Sequence, residues 1–370
     1  MVTRASERLG LKVISPAERR RELWGCRMRV VVIGATGHIG GYLVPRLVGA
    51  GHDVVTLSRH ARPYYREHAS WTQVTNVIVD REAEDAAGTF GQRVANLEAD
   101  AVVDLICFEP DSARQLVEAL RPKRTYLVHC GTIWVHGPST VVPTTEDAPR
   151  RPFGPYGKAK AAIEELLLEE SRSGGVPVAL LHPGHIVGPG WVPVNPAGNV
   201  ELSVFERLAT GQEVALANLG METLHHVHAD DVAQAFALAI ERPEAAAGES
   251  FHVTSERAMT LRGYAEAIAE LVGQPSRLSL LAWEVWRDTV TEAEAQLTWD
   301  HIAHSPSMSI DKARRLLGYN PTYTSLEAIQ ESLAWLVANG RLRAAAWASL
   351  PLQSASSQAN GLIRNDESLG

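Results

Sequence analysis

Three glycines mark the first place where this sequence could do chemistry. "GATGHIGG" puts Gly34, Gly37 and Gly40 at Gly-x-x-Gly-x-x-Gly spacing, directly after "RVVVIG" and at the start of a helical stretch. Glycine permits a tight turn and lets backbone N–H groups reach a pyrophosphate, while the helix N-terminus adds partial positive charge. Thr36, His38 and Ile39 belong to the same candidate surface. Glycine triplets also occur in plain turns; the strand-then-helix placement is what points to a dinucleotide. The second strand ends in Ser58-Arg59 with no acid. A carboxylate there would bind the 2′-OH of NAD, whereas a serine and an arginine can receive a 2′-phosphate, which favours NADP over NAD. Arg59 stacking on adenine would leave either cofactor possible. Asp80 can accept from the adenine amino group or cap a helix.

The second place is "FGPYGKAKAAIEELL", a helix begun by Pro155. Tyr156 and Lys160 are four apart and share one face near its start. A phenol with a pKa near 10 is a poor base at neutral pH. A neighbouring ammonium, together with an oxidised nicotinamide, favours phenolate, which can take a hydroxyl proton as hydride leaves the same carbon. Such a pair also occurs on plain solvated helix faces.

The third place is "TLHHVHADD", residues 223–231. On a strand, His226 and His228 share one face and His225 the other. Two same-face histidines without a placed third ligand do not make a metal site, so no metal is expected here. His225 or His226 facing a substrate is the alternative to plain packing.

Elements must position these groups. Short apolar runs recur between residues 29 and 183: "RVVVIG", "DVVTLS", "NVIVD", "AVVDLI", "TYLVHC" and "PVALLHP". They are rich in β-branched residues and mostly unbroken, as strands buried on both faces of a parallel sheet are. Helical stretches lie between most of them, which predicts an α/β fold with a Rossmann-type doubly wound sheet. Ligands bind such sheets at the carboxyl ends of the strands. That adds Leu105, Ile106 and Cys107 after strand four, and Pro183, His185 and Ile186 after strand six, to the candidate cofactor surface. After Pro189 comes the loop "GPGWVPVNPAGN", then mostly helices. The expected organisation is an N-terminal extension over 1–27, a dinucleotide-binding domain over 28–188, a smaller, mostly helical substrate-binding part over 189–340, and a flexible tail over 341–370. Residues 221–242 are expected to pack back onto the first domain.

The totals exclude several classes. A net charge of −8 without runs of like charge disfavours nucleic acid as a partner. No apolar run is long enough to span a bilayer. Cys26, Cys107 and Cys130 have no Cys-x-x-Cys spacing, which fits a reducing, cytoplasmic compartment.

The glycine loop followed by Tyr-x-x-x-Lys resembles the short-chain dehydrogenase/reductase superfamily, and the length resembles its extended branch of epimerases and dehydratases. "HCGTIWVHG" is similar to that branch's strand-five Ser/Thr motif, "HPGHIVGPG" to its Arg-Pro-x-x-Val-Tyr-Gly-Pro segment, "HADDVAQA" to its His-Val-Asp-Asp-Val-Ala segment, and "DKARRLLGYNP" to its C-terminal helix and turn. The likeness covers about residues 28–340. It implies Thr132, Tyr156 and Lys160 as the catalytic set. Thr132 would hydrogen-bond the reacting oxygen, Tyr156 would transfer the proton, and Lys160 would lower the phenol pKa and hold the ribose. It also implies a homodimer through paired helices. Some relatives are cofactor-binding regulatory proteins, an alternative of another class.

The departures bear on substrate. Members that bind nucleoside-diphosphate sugars commonly carry an arginine where this chain has Leu224, and a second where 301–310 has none. Leucine cannot neutralise a diphosphate, and arginine is the usual fork for it. The expected substrate is a sugar-like molecule without a diphosphate: a free sugar, nucleoside, cyclitol or natural product. Arg207 or Arg257 could compensate. The Asp-Glu pair of the sugar 4,6-dehydratases is replaced by Ile133-Trp134. Dehydration would then need Glu109, His185 or Tyr156. Trp134 and Trp191 can supply an apolar stacking wall.

Overall fold

The computed structural model describes residues 27–61, 66–342 and 347. Seven parallel strands form the central sheet: β1 (Arg29–Ile33), β2 (Asp53–Ser58), β3 (Thr75–Ile78), β4 (Ala101–Asp104), β5 (Tyr126–Cys130), β6 (Val178–Pro183) and β7 (Ser250–Val253). Their spatial order is β7-β6-β5-β4-β1-β2-β3. The chain winds outward from β1 in both directions, so the crossovers part at the carboxyl ends of β1 and β4 and leave a crevice there.

Strand alternation builds two cores from one sheet. Val30, Val32, Val103 and Val128 face one side, against Leu43 of helix α1 (Gly40–Gly49). Val31, Ile33, Val102 and Leu127 face the other. There they meet Leu116 of α2 (Pro110–Leu120) and Ile163 and Leu167 of α3 (Gly154–Arg172). This two-sided burial is why the strand sequences read as unbroken apolar runs. β3 differs: it is the edge strand, largely exposed. β7 was not among the six expected strands. It is four residues long and pairs with β6, His252 opposite His182.

The C-terminal part contributes α4 (Leu202–Ala209), α5 (Ala229–Glu241), α6 (Leu261–Leu271), α7 (Glu292–His304), α8 (Asp311–Leu317) and α9 (Ser325–Ala338). Val232, Phe236 and Ala239 of α5 join the core beside α1. Phe205, Tyr264, Ile329 and Leu333 build a separate core. Short strand pairs supplement the helices, among them His185–Val187 with His226–His228. Asp231 joins the two parts: its carboxylate accepts from the N–H groups of Thr322 at 2.7 Å and Tyr323 at 3.1 Å. Leu342 and Trp347 are buried in the second core, so the expected loss of pattern after residue 340 is corrected at those two positions. The extension over 1–27 and the rest of the tail lie, but for Arg27 and Arg341, outside the described residues.

Candidate active site

The glycine loop is built so that only glycine fits at two of its three positions. Gly34 sits at φ +79°, and a Cβ there would lie 2.7 Å from Cγ2 of Ile106. A Cβ at Gly40 would lie 2.1 Å from the carbonyl oxygen of Ala35. Gly37 N–H donates to the Gly34 carbonyl at 3.0 Å, closing the turn from which α1 departs. The loop borders a cavity of about 350 Å³ at the carboxyl ends of β1, β4, β5 and β6. A bare backbone at the mouth of a helix, facing a cavity, is a cradle suited to a dinucleotide pyrophosphate.

Thr132, Tyr156 and Lys160 line the same cavity. Thr132 follows β5 and caps the turn Ile133–His136, its hydroxyl accepting from Trp134 N–H at 3.3 Å. Tyr156 stands in the first turn of α3, which has proline near its start, as the sequence requires. Lys160 is one turn further and 3% exposed. Its ammonium donates to the carbonyl oxygens of Cys107 at 2.7 Å and Cys130 at 2.8 Å. Tyr156 is 43% exposed at the cavity mouth, yet partial desolvation pushes its phenol up to about 12; Cys130 adds to the rise and the hydrogen bond with Thr132 opposes it. The expected depression of the phenol pKa by Lys160 is therefore not what the chain alone displays. Desolvation prevails, and the ammonium spends two of its protons on backbone carbonyls.

The other expected cofactor residues divide. Gly34, Gly37, His38, Ile39, Leu105, Ile106, Pro183 and Ile186 line the cavity. Thr36, Gly40, Cys107 and His185 do not; Cys107 takes part through its carbonyl, which holds Lys160. Ser58 is buried and donates to the His60 carbonyl at 2.7 Å, while Arg59 is exposed at the end of β2. Asp80 caps the helix Arg81–Ala86, one carboxylate oxygen accepting from Glu82 and Ala83 N–H. Phe108 and Gly131 line the cavity too. Sequence reasoning missed both; Phe108 follows the expected run 105–107 by one residue.

The candidate substrate residues also divide. Trp191 lines the cavity and stacks on His38, with centroids 4.9 Å apart. Trp134 meets Tyr156 edge-on at 5.8 Å and lies parallel to His304 at 4.2 Å. His301 packs against Trp134 at 5.4 Å and His185 at 5.1 Å. His301 and His304 come from α7 and were not expected; they sit in the very stretch remarked on only for lacking arginine. Glu109 is exposed and does not line the cavity. His225 is corrected to a packing role. Its Nδ1 accepts from Met308 N–H at 3.1 Å, so its Nε2 carries the proton and donates to the Ser255 carbonyl at 3.0 Å. His226 is fully buried behind His185, ring centroids 5.6 Å apart, with Nε2 3.2 Å from the Val194 carbonyl. Neither His226 nor His185 lines the cavity. His228 caps α5 and meets Glu331 at 3.0 Å.

Residues 30–254 match the sequence model of the NAD dependent epimerase/dehydratase family. The chain belongs to that family. Among curated relatives, the chain is 26% identical to the 2'-dehydrokanamycin reductase of Streptomyces kanamyceticus, over 85% of this chain and 86% of the relative. It is 26% identical to the chloroplast stem-loop binding protein of 41 kDa b of Arabidopsis thaliana, over 82% of this chain and 78% of the relative. Among solved structures, the UDP-glucose 4-epimerase of Thermotoga maritima with UDP-glucose superposes with a TM-score of 0.63 at 20% identity, covering 84% of this chain and 99% of that one. The protein is thus an NAD-dependent enzyme of epimerase/dehydratase type, with the extended short-chain dehydrogenase/reductase fold.

The cavity carries little charge. Among the described residues lining it, Lys160 is the one lysine and none is an arginine. Neither arginine considered as a substitute is placed to help. Arg207 folds back on the Glu213 carbonyl at the end of α4, and Arg257 does not line the cavity. Among the described residues no helix is long and apolar enough to cross a membrane.

Proposed function

We propose that this enzyme oxidises a secondary hydroxyl of a sugar-like substrate that lacks a diphosphate, and that it returns the hydride within the same turnover. What supports the reading is the cavity itself: Thr132, Tyr156 and Lys160 line it beside the glycine loop, and among the described residues no arginine does. The glycine cradle and the buried lysine fit a nicotinamide dinucleotide, which when bound supplies the hydride acceptor and its positive charge. Gly34, Gly37 and the start of α1 would hold its pyrophosphate; Arg59 would favour a 2′-phosphate, the Ser58 hydroxyl being committed to the His60 carbonyl. Tyr156 takes the hydroxyl proton, Thr132 holds the reacting oxygen, and Lys160 keeps a cation close to the phenol. With desolvation holding the phenol near 12, added positive charge is what this tyrosine needs before it can act as a base at neutral pH. A ketone formed on the substrate acidifies the adjacent C–H, which permits epimerisation or elimination. Trp134 and Trp191 supply apolar faces for a sugar ring or nucleobase.

A net ketone reductase with the same residues is the second reading. Similarity to a reductase of a kanamycin derivative, a substrate of sugar-like rings, favours it. Candidate free sugars, nucleosides and aminoglycosides should be incubated with the purified enzyme while reduced-nicotinamide absorbance and product mass are followed. Turnover without net absorbance change supports internal return; stoichiometric consumption of cofactor selects the reductase. Saturable calorimetric binding of UDP or dTDP would overturn the substrate class. Full retention of activity by Tyr156→Phe would remove Tyr156 from the mechanism, and cofactor binding without turnover of any candidate would select a non-catalytic, cofactor-binding role.

A further inference from the structure

Behind the catalytic turn, on the α3 side of the sheet, three histidines converge that the reaction does not use. His182 stands on β6 and His252 opposite it on β7, so strand alternation sends both side chains to one face. His136 ends the turn that Thr132 caps. All three are buried, and one ring nitrogen from each lies within 4.8 Å of the other two. Nε2 of His136 is 2.8 Å from Nε2 of His252. Neither nitrogen of His182 has a hydrogen-bond partner, although the residue is fully buried. A buried imidazole without a partner is an unsatisfied polar group, and it calls for an explanation.

We propose that His136, His182 and His252 bind a divalent transition-metal ion, zinc by ligand type, with Glu164 as the fourth ligand. Glu164 Oε2 is 3.6 Å from His182 Nε2 but stands outside the three-histidine cluster, so its carboxylate must swing in to ligate. Three imidazoles and a carboxylate are a zinc donor set. The surroundings are those of a metal-ligating histidine. His252 Nδ1 lies 3.2 Å from the Ser309 carbonyl, which sets the proton on Nδ1 and leaves the Nε2 lone pair facing the cluster. Gly131 leaves the room: a Cβ there would lie 2.3 Å from Cδ2 of His182.

The site must adjust to close. Tetrahedral Zn–N bonds of about 2.0–2.1 Å put ligand nitrogens roughly 3.3 Å apart, so the 2.8 Å pair opens by about half an ångström and the wider pair draws in. The proton now shared by His136 and His252 moves to His136 Nδ1, so no net proton is released there. Arg150 works against the ion. Its guanidinium is paired with Glu164 at 2.5 Å and bonded to Ser250. Two carboxylates offset it: Glu164, and Glu146, whose Oε1 accepts from His252 N–H at 2.9 Å. The ion would clamp the Thr132 turn to the β6–β7 edge, a structural role that does not depend on the substrate.

The full chain, tag removed, should be purified from zinc-supplemented medium, dialysed against a weak chelator and assayed for metals by mass spectrometry. Near one zinc per chain is expected, falling at least tenfold in His182→Gln and unchanged in His52→Gln, a half-buried histidine outside the cluster. Stripped wild-type protein titrated with cobalt(II) alone should develop the visible absorbance of a tetrahedral site at one equivalent. That second measurement decides the matter if His182→Gln does not fold. Wild-type protein without bound metal or a cobalt spectrum would overturn the proposal, leaving a hydrogen-bonded histidine pair. So would zinc retained by a folded His182→Gln.

Discussion

The Lys160 ammonium lies 2.7 Å from the carbonyl oxygen of Cys107. This bond ties α3 to the loop after β4, across the floor of the cavity. With its partner bond to Cys130 it fixes the cation without neutralising it. Lys160→Met should therefore do two things. It leaves two buried carbonyls unpaired, costing about 1–3 kcal/mol each, which chemical denaturation will read. It also removes the charge that assists Tyr156, so kcat should fall by more than the stability loss accounts for. Unchanged kcat in folded Lys160→Met would refute the second role.

Tyr156→Phe isolates the proton transfer. Loss of a positioned acid–base group costs about 10²–10⁴ in rate, and cofactor affinity should hold, because Lys160 and the glycine loop remain. The wild-type pH profile carries the sign. With the free phenol pushed up to about 12, the phenolate is scarce at neutral pH. The rate of hydroxyl oxidation should rise with pH through the alkaline range, and ketone reduction, which needs the phenol, should not. A flat oxidation profile from pH 7 to 10 would count against Tyr156 as the base.

Arg59→Ala tests cofactor choice. Arg59 is exposed beside the buried Ser58 hydroxyl, which is already committed to the His60 carbonyl. Discrimination for a 2′-phosphate then rests on the guanidinium. A hydrogen bond to a charged group contributes about 1.5–3 kcal/mol, so NADP affinity should drop about tenfold or more while NAD affinity holds. Equal losses for both would assign Arg59 to adenine stacking.

The sheet, the glycine loop and the Tyr-Lys pair were legible because each is local. Alternation, spacing and one helical turn carry them. Long-range convergence was not. The strand containing His252 is four residues long and lacks an uninterrupted apolar run. Alternation correctly separated His225 from His226, but it cannot say which face abuts the cavity; Met308 and Ser255 decide that for His225. His301 and His304 reach Trp134 from a helix well over a hundred residues downstream. The His136, His182 and His252 cluster exists only through the β6–β7 register.

Acid should destabilise this fold through its buried histidines. Burial lowers His38 to about 3, with His228 adding to the effect; it lowers His225 to about 4 and His226 to about 3. Above the ordinary value of 6.5 these rings are neutral folded or unfolded, and their contribution to stability is fully present. As pH falls below 6.5, the unfolded chain takes up protons that the fold refuses, and stability is lost until the folded values near 3–4 are reached. Each ring contributes up to about 1.4 kcal/mol per pH unit within that window. Burial raises the carboxyl pKa values of Glu146 and Asp231, and they act oppositely, binding protons earlier in the fold and offsetting part of the loss at the acid end. Urea midpoints at pH 7, 6 and 5 should fall progressively, with a shallower fall in His226→Gln. A midpoint constant from pH 7 to 5 would mean that these rings take up protons in the fold as they do in the unfolded chain.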